Sequence, residues 1–293
     1  CEVRTGDSSI MKAPPFSYIR PEAVESVIEC LQQYGDDAVL LAGGQSLMAS
    51  LNMRLSAPGV LVDINNVDSL SEIALVGNHL RIGAMTRQVE VEQSSLVAEH
   101  VPLISMAMPY IAHPAVRNRG TIGGSIAFAD PAAELPACVV ALQANLIAQG
   151  SKGERKIPAT EFFKGLYETA LTSDEVLTAI ELPVAADQQK FAFRELARRH
   201  GDYAMVGVCA FTEWSEKSLS EARLVYFNVG DQPVVAVQTA AALKGVLSAE
   251  NLESALEYLA EDLDPLSDLN ADPSMRLHLA KVLTQRICQE WIP

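Results

Sequence analysis

Leu40-Leu41-Ala42-Gly43-Gly44-Gln45-Ser46-Leu47 closes an apolar run over residues 38–42 and opens a second apolar stretch. The order reads as strand, tight turn, helix start. Adjacent glycines let a backbone take positive φ and approach a ligand closely. Their N–H groups can form an anion-binding nest, helped by the positive end of a following helix. Gln45 and Ser46 add side-chain donors for phosphate or sugar oxygens. The stretch has neither GxGxxG spacing nor a phosphate-binding lysine. Alone, it is explained as well by an ordinary strand-to-helix turn.

Around that turn the pattern is a small α/β unit. Residues 14–18 are extended, and Pro21-Glu22 opens an amphipathic helix carrying Val24, Val27, Ile28 and Leu31. Residues 60–64 form a further apolar strand of a covered sheet. A first lobe therefore spans residues 11–67. A second, over residues 68–186, begins with a hairpin, residues 73–76 and 80–84 around Gly77-Asn78. Helices follow at 88–93 and 102–111, where Met106 and Met108 read as core filler. Residues 150–156 read as a polar turn, and 176–182 as a strand ended by Pro183. Phe162 and Phe163 read better as core than as stacking partners for a ligand. Past a polar linker at 187–190, three strands (191–196, 205–213, 222–228) make an antiparallel meander. Three helices, at 235–243, 248–259 and 275–291, complete a third unit over residues 187–293.

The second informative stretch is Arg117-Asn118-Arg119-Gly120-Thr121-Ile122-Gly123-Gly124-Ser125, running on to Ala129-Asp130-Pro131 and Glu134. A second glycine pair between Thr121 and Ser125 again offers backbone N–H groups and hydroxyls. One such turn in each lobe suits a diphosphate gripped from both sides. Asp130 and Glu134 then fall where sugar or ribityl hydroxyls could be held, or serve simply as helix N-terminal caps. No His or Lys completes an acid–base constellation with them.

Composition narrows the classes. The 293 residues carry a formal net charge of −15, which repels nucleic acid and anionic membranes. The five cysteines are scattered without a CxxC, which excludes a cysteine-ligated iron–sulfur or zinc motif and a disulfide framework. A reducing cytoplasm suits them. No apolar run approaches the length of a membrane span. Residues 1–10 lack the order of a signal peptide and read as a leader or expression remnant before Met11.

Taken together, these motifs resemble one family. Ala42-Gly43-Gly44-Gln45-Ser46-Leu47, then Arg117 to Gly124, then Ala129-Asp130-Pro131 are similar to the FAD-binding medium subunit of the molybdenum hydroxylases, the xanthine dehydrogenase and carbon monoxide dehydrogenase family. Val176-Leu177-Thr178-Ala179-Ile180-Glu181-Leu182-Pro183 and Arg199-His200-Gly201-Asp202-Tyr203-Ala204 extend the resemblance over nearly all of residues 11–293. The resemblance implies an α+β fold: a two-lobed α/β FAD-binding part of the PCMH type, then a three-stranded antiparallel sheet with a helical bundle. It also implies that Ala42, Gly43, Gly44, Gln45, Ser46 and Leu47, with Thr121, Gly123, Gly124 and Ser125, hold the FAD diphosphate, and that Leu40 is a cofactor-binding residue beside them. By the same resemblance Asp130 and Glu134 contact the cofactor's polar groups, Ile180 and Leu182 form its apolar wall, and Ile111 is among the cofactor-binding residues. Arg194 would lie near the flavin ring, and Tyr203 would lie against it.

FAD brings its own redox chemistry, so a chain that only binds and orients it needs no nucleophile–base pair. His113 and His200 match no flavin-attachment pattern, so the implied FAD is non-covalent. The implied partners are a small subunit with [2Fe–2S] clusters and a large one with the molybdopterin-type molybdenum cofactor, assembled as a dimer of heterotrimers. Electrons would reach FAD here and leave to NAD+, dioxygen or another carrier. Two other readings stay open: a stand-alone FAD-dependent oxidase, and a non-catalytic module for some other diphosphate nucleotide. The first needs a substrate pocket with its own base, and the second a protein that stays colourless with FAD.

Overall fold

The first glycine pair follows an edge strand of a small parallel sheet, and the second lies in the first turn of a helix packed on a different sheet. The computed structural model describes residues 12–292. The leader expected at residues 1–10 lies outside the described residues.

The first sheet is parallel: β1 (Ser17–Ile19), β3 (Val60–Asp63) and β2 (Ala38–Leu41), with β3 central. All four β3 residues are buried, as expected of a parallel strand covered on both faces. Helix α1 (Val24–Tyr34) lays Val24, Val27, Ile28 and Leu31 on this sheet. The short helix α2 (Leu47–Asn52) leaves the glycine turn that follows β2.

The second sheet is antiparallel, in the order β4 (Ile73–Val76), β5 (His79–Gly83), β10 (Val176–Pro183), β6 (Asn145–Gly150) and β7 (Gly153–Pro158). Residues 153–158 are thus a strand where a turn is expected. The reason is position: β7 is an edge strand, exposed at Gly153, Glu154, Arg155 and Lys156, and carries no apolar alternation to reveal it. Helices α3 (Gln88–Gln93), α4 (Ser95–His100), α5 (Pro102–Ala107), α6 (Pro114–Arg117), α7 (Ile122–Phe128) and α8 (Glu134–Ala141) come between β5 and β6. The apolar stretch at 102–111 divides into α5 and one 3-10 turn, Met108–Tyr110. Helix α9 (Ala159–Phe162) and the small hairpin β8 (Phe163–Gly165) with β9 (Glu168–Thr169) precede β10. Phe162 and Phe163 are both buried in the core of this lobe.

The third sheet is the expected meander, β11 (Gln189–Leu196), β12 (Val206–Ser215) and β13 (Ser218–Phe227), lengthened by β14 (Val234–Val235) and β15 (Gly245–Val246). Its alternation serves two cores. Phe193, Cys209, Val225 and Phe227 pack towards α5 and α8 of the second lobe. Ala192, Val208, Leu224 and Tyr226 pack towards α10 (Val237–Ala242), α11 (Ala249–Glu257), α12 (Leu259–Asp262) and α13 (Pro273–Trp291). No described helix is long and apolar enough to cross a membrane.

Candidate functional site

The two glycine turns touch backbone to backbone. A Cβ on Gly43 would stand 2.3 Å from the Arg119 carbonyl oxygen and 2.8 Å from the Gly120 Cα, so only glycine permits the approach. Arg87 braces it, donating to Asn65 of the first lobe (2.6 Å) and to the Arg119 carbonyl of the second. Along the contact runs a cleft of about 660 Å³, lined by both lobes and by Gly201 and Tyr203 of the third unit. That volume lies within the usual range for small-molecule and cofactor sites, roughly 300–1,000 Å³.

The two turns are not equivalent. The N–H groups of Gly43, Gly44, Gln45, Ser46 and Leu47 meet no acceptor among the described residues, and Gly44 has φ +73°. Such a run of free donors at a cleft is available to an anion. At the second turn the donors are already used. Ile122 donates to Thr86 (3.1 Å), Gly123 to Ala84 (2.8 Å), Gly124 to the Thr121 hydroxyl (3.1 Å) and Ser125 to the Thr121 carbonyl (3.2 Å). The expectation of a second backbone nest is therefore corrected. Gly123 is small because Ala84 packs on it, and Gly124 because Thr121 and Ala42 do. What the second turn presents to the cleft is the Ser125 side chain and close backbone. Gln45 also departs from expectation, because its amide folds back onto the Gly43 carbonyl (3.2 Å).

Of the sequence-derived residues, Leu40, Ala42, Gly43, Gly44, Gln45, Ser46, Leu47, Ile111, Thr121, Gly123, Gly124, Ser125, Asp130, Glu134 and Tyr203 all line this cleft. Ile180 and Leu182 do not: both are fully buried in β10, Ile180 between Ile82 and Leu146 and Leu182 opposite Leu80. Arg194 does not either. It lies on the helix-facing side of β11, where its guanidinium grips Glu290 of α13 through two bonds of 2.7 and 2.9 Å. Strand alternation is the physical cause, since residues 193 and 195 take the side facing the second lobe.

Helix α7 ends on Ala129 in the left-handed region (φ +53°), and the chain reverses to put Asp130 on the cleft. Asp130 accepts from the Ala132 N–H (2.9 Å), a local turn bond and not the expected helix cap, since α8 is capped at Ala133, and burial raises its pKa. Tyr203 stands at the mouth of the cleft, 64% exposed over the whole residue. Its hydroxyl is pushed up to about 12 by burial first, and then by Asp130. Gly201 sets this residue's place: φ is +86°, and a Cβ there would meet the His113 ring at 2.6 Å. His113 thus acts as a packing surface, and His200 stacks on Tyr110. Sequence reasoning missed Gln88, buried on the cleft wall with its Oε1 unpartnered among the described residues, and Phe128, which packs on Tyr167 at 5.0 Å. Neither carries a motif signal. Tyr167 sits at a hairpin tip with φ +57°, a strained position that only the backbone reveals.

Burial also pushes Glu134 up to about 7 and Glu195 up to about 8, from an ordinary 4.5. The folded chain thus keeps protons that the unfolded chain releases near pH 4.5. Over the window from about 4.5 to 8 it binds more protons than the unfolded chain, so stability falls as pH rises. Calorimetry of the ligand-free protein is expected to show Tm dropping from pH 5 to pH 8, and dropping less in Glu195→Gln. An equal drop in both proteins would count against this assignment.

Residues 14–185 match the family described as the FAD binding domain in molybdopterin dehydrogenase, and residues 191–291 match the CO dehydrogenase flavoprotein C-terminal domain. The chain is 36% identical over 278 residues to the 6-hydroxypseudooxynicotine dehydrogenase complex subunit alpha of Paenarthrobacter nicotinovorans, covering 94% of each. It is 34% identical to the carbon monoxide dehydrogenase medium chain of Hydrogenophaga pseudoflava, over 94% of this chain and 96% of that one. Quinoline 2-oxidoreductase from Pseudomonas putida 86 superimposes with a TM-score of 0.90 at 38% identity, covering 95% of this chain and 97% of that one. The chain therefore belongs to the FAD-binding subunits of the molybdenum hydroxylase family, and it is an oxidoreductase component.

Proposed function

We propose that this chain carries non-covalent FAD as the electron-transfer subunit of a heteromeric molybdenum hydroxylase. The carrying observation is the run of unengaged N–H groups at residues 43–47 on the floor of the cleft. Their donors suit a diphosphate in a chain whose net charge of −15 would otherwise repel one. Bound FAD supplies two-electron and one-electron chemistry. The protein binds and orients the cofactor. Leu40, Ala42, Gly43, Gly44, Gln45, Ser46 and Leu47 hold the diphosphate from one side, and Thr121, Gly123, Gly124 and Ser125 close on it from the other. Ile111 gives apolar wall, Asp130 and Glu134 face the cofactor's polar groups, and Tyr203 covers its exposed end.

In this reading electrons come from a small [2Fe–2S] subunit and leave to NAD+, dioxygen or another carrier. Substrate is oxidised at molybdenum in a large subunit, the three assembling as a dimer of heterotrimers in the cytoplasm. The relatives named above act on unlike substrates by their own titles, in keeping with specificity that resides outside this chain. The test is purification of the chain alone and with its co-purifying partners. A yellow chain that releases FAD on acid treatment, with iron–sulfur absorbance in the complex only, is expected. A chain that stays colourless with added FAD would remove the reading.

A further inference from the structure

The second lobe lines the cleft, yet the backbone N–H groups of residues 122–125 are spent within the protein. One polar side chain on that wall is uncommitted. Gln88 lines the cleft with only 5% of its surface exposed, and its Oε1 is buried without a hydrogen-bond partner among the described residues. Its backbone is pinned to the second turn. The Gln88 N–H donates to the Gly120 carbonyl (2.9 Å), and the Ile122 N–H donates to the Thr86 carbonyl (3.1 Å). The side chain lies over Gly120, where an added Cβ would stand 2.5 Å from Oε1 and 2.9 Å from Cδ. Oε1 is thus turned inward onto the wall, which leaves Nε2 as the end of the amide on the cleft side. Gly43 meets the same residue, its own added Cβ standing 2.8 Å from the Gly120 Cα. With Cα–Cβ bonds of about 1.5 Å, the amide and the Gly43 Cα lie within about 8 Å of each other. That interval lets donors on both sides share one phosphate group at hydrogen-bond lengths of about 3 Å. An unpaired buried oxygen destabilises the ligand-free fold, so packing alone does not account for an amide at this place.

We propose that Gln88 is the second lobe's donor to the bound diphosphate, its Nε2 hydrogen-bonding a phosphate oxygen opposite the N–H groups of residues 43–47. This inference rests on the cleft being the FAD site. A neutral amide suits the position. The nest supplies several N–H groups but no full charge, and Gln88 adds a donor without a buried ion to desolvate. A carboxylate in its place would set negative charge against the phosphate oxygens at close range. Because Gln88 is bonded to Gly120, and Gly120 packs on Gly43, the amide and the nest keep a fixed spacing. The two lobes thus hold the phosphates by different means, backbone on one side and one side-chain amide on the other.

The experiment titrates FAD into the flavin-free wild type, Gln88→Met and Gln88→Glu at about pH 8, where a glutamate is ionised. Methionine keeps the length of the side chain and removes the amide. Its Kd for FAD is expected to rise about tenfold, the usual loss for one hydrogen bond to a charged group. Gln88→Glu is expected to lose about a hundredfold or more, because like charge replaces the donor. Ligand-free Gln88→Met is expected to melt at or above the wild type, since the unpaired Oε1 is gone. Equal FAD affinity in wild type and Gln88→Met would overturn the proposal and leave the FAD reading standing. Gln88→Glu binding as tightly as wild type would overturn it as well, since an acceptor would then serve as well as a donor. If ligand-free Gln88→Met melts lower than wild type, the two variants decide between them. Weaker FAD binding by Gln88→Glu than by Gln88→Met supports the phosphate contact, and equal binding by the two overturns it. A wild type that binds no FAD removes the FAD reading, and the inference falls with it.

Discussion

Gly43→Ala is expected to weaken FAD binding by about a hundredfold, more than any other single methyl added to the cleft floor. The new Cβ would sit 2.3 Å from the Arg119 carbonyl oxygen and 2.8 Å from the Gly120 Cα. Both are backbone atoms, and Arg87 and the Arg87–Thr121 bridge hold their turn in place. Neither can swing aside as a side chain would, so the strain is relieved only by separating the two turns. Overpacking of this kind costs about 1–3 kcal/mol. The upper part of that range corresponds to roughly a hundredfold in Kd. Separation also turns the N–H groups of residues 43–47 away from a shared anion. Gly44→Ala is the control. Its φ of +73° strains any other residue, at about 1–2 kcal/mol, but its new neighbours are the movable ends of Leu41 and Met48. FAD titration of the ligand-free proteins decides: unchanged affinity in Gly43→Ala would remove the turn contact from the account of binding.

Arg276→Ala is expected to destabilise the chain by about 3 kcal/mol and to loosen the mouth of the cleft. Arg276 is 2% exposed on α13. Its Nη1 donates to the carbonyls of Met205 (2.6 Å) and Asn228 (2.5 Å), and its Nη2 pairs with Asp268 (2.6 Å). Asn228 passes the restraint on: its N–H donates to the Pro131 carbonyl (2.7 Å), and its side-chain amide to that of Ala204 (2.5 Å). One guanidinium therefore ties the last helix to the turn between Asp130 and Glu134 and to the residues following Tyr203. Removing it leaves buried carbonyls without a donor, each at about 1–3 kcal/mol. Arg276→Lys is expected to recover only part of the loss, since an ammonium cannot reproduce the planar fork. Denaturant midpoints at unchanged m would measure the effect. A shift worth less than about 1 kcal/mol would show that the fork is not what holds this junction.

Local chemistry determined much of what could be read in advance. Strand, glycine pair and helix start around residues 40–47 follow from residue types over eight positions, and so does the nest of N–H groups they leave open. The meander and the carboxy-terminal helices follow from hydrophobic period, which needs no knowledge of neighbours. The ordered motifs, taken together, also pointed to the family. What only the tertiary structure decided are matters of register and contact. Whether Arg194 or Glu195 faces the second lobe depends on how β11 pairs with β12, and a shift of one residue would exchange them. That Gly123 is a packing glycine with a committed N–H depends on Ala84, far earlier in the chain, whereas the Gly124 N–H is committed locally to Thr121. Ile180 belongs to the sheet interior because Ile82 and Leu146 flank it, and β7 is a strand because β6 offers it an edge. The sulfurs of Cys138 and Cys209, distant in the chain, meet only because α8 docks on the third sheet. Sequence-local forces choose turns and elements. Which side of an element meets the cleft is set by long-range pairing and packing, in which each residue's surroundings come from elsewhere in the chain.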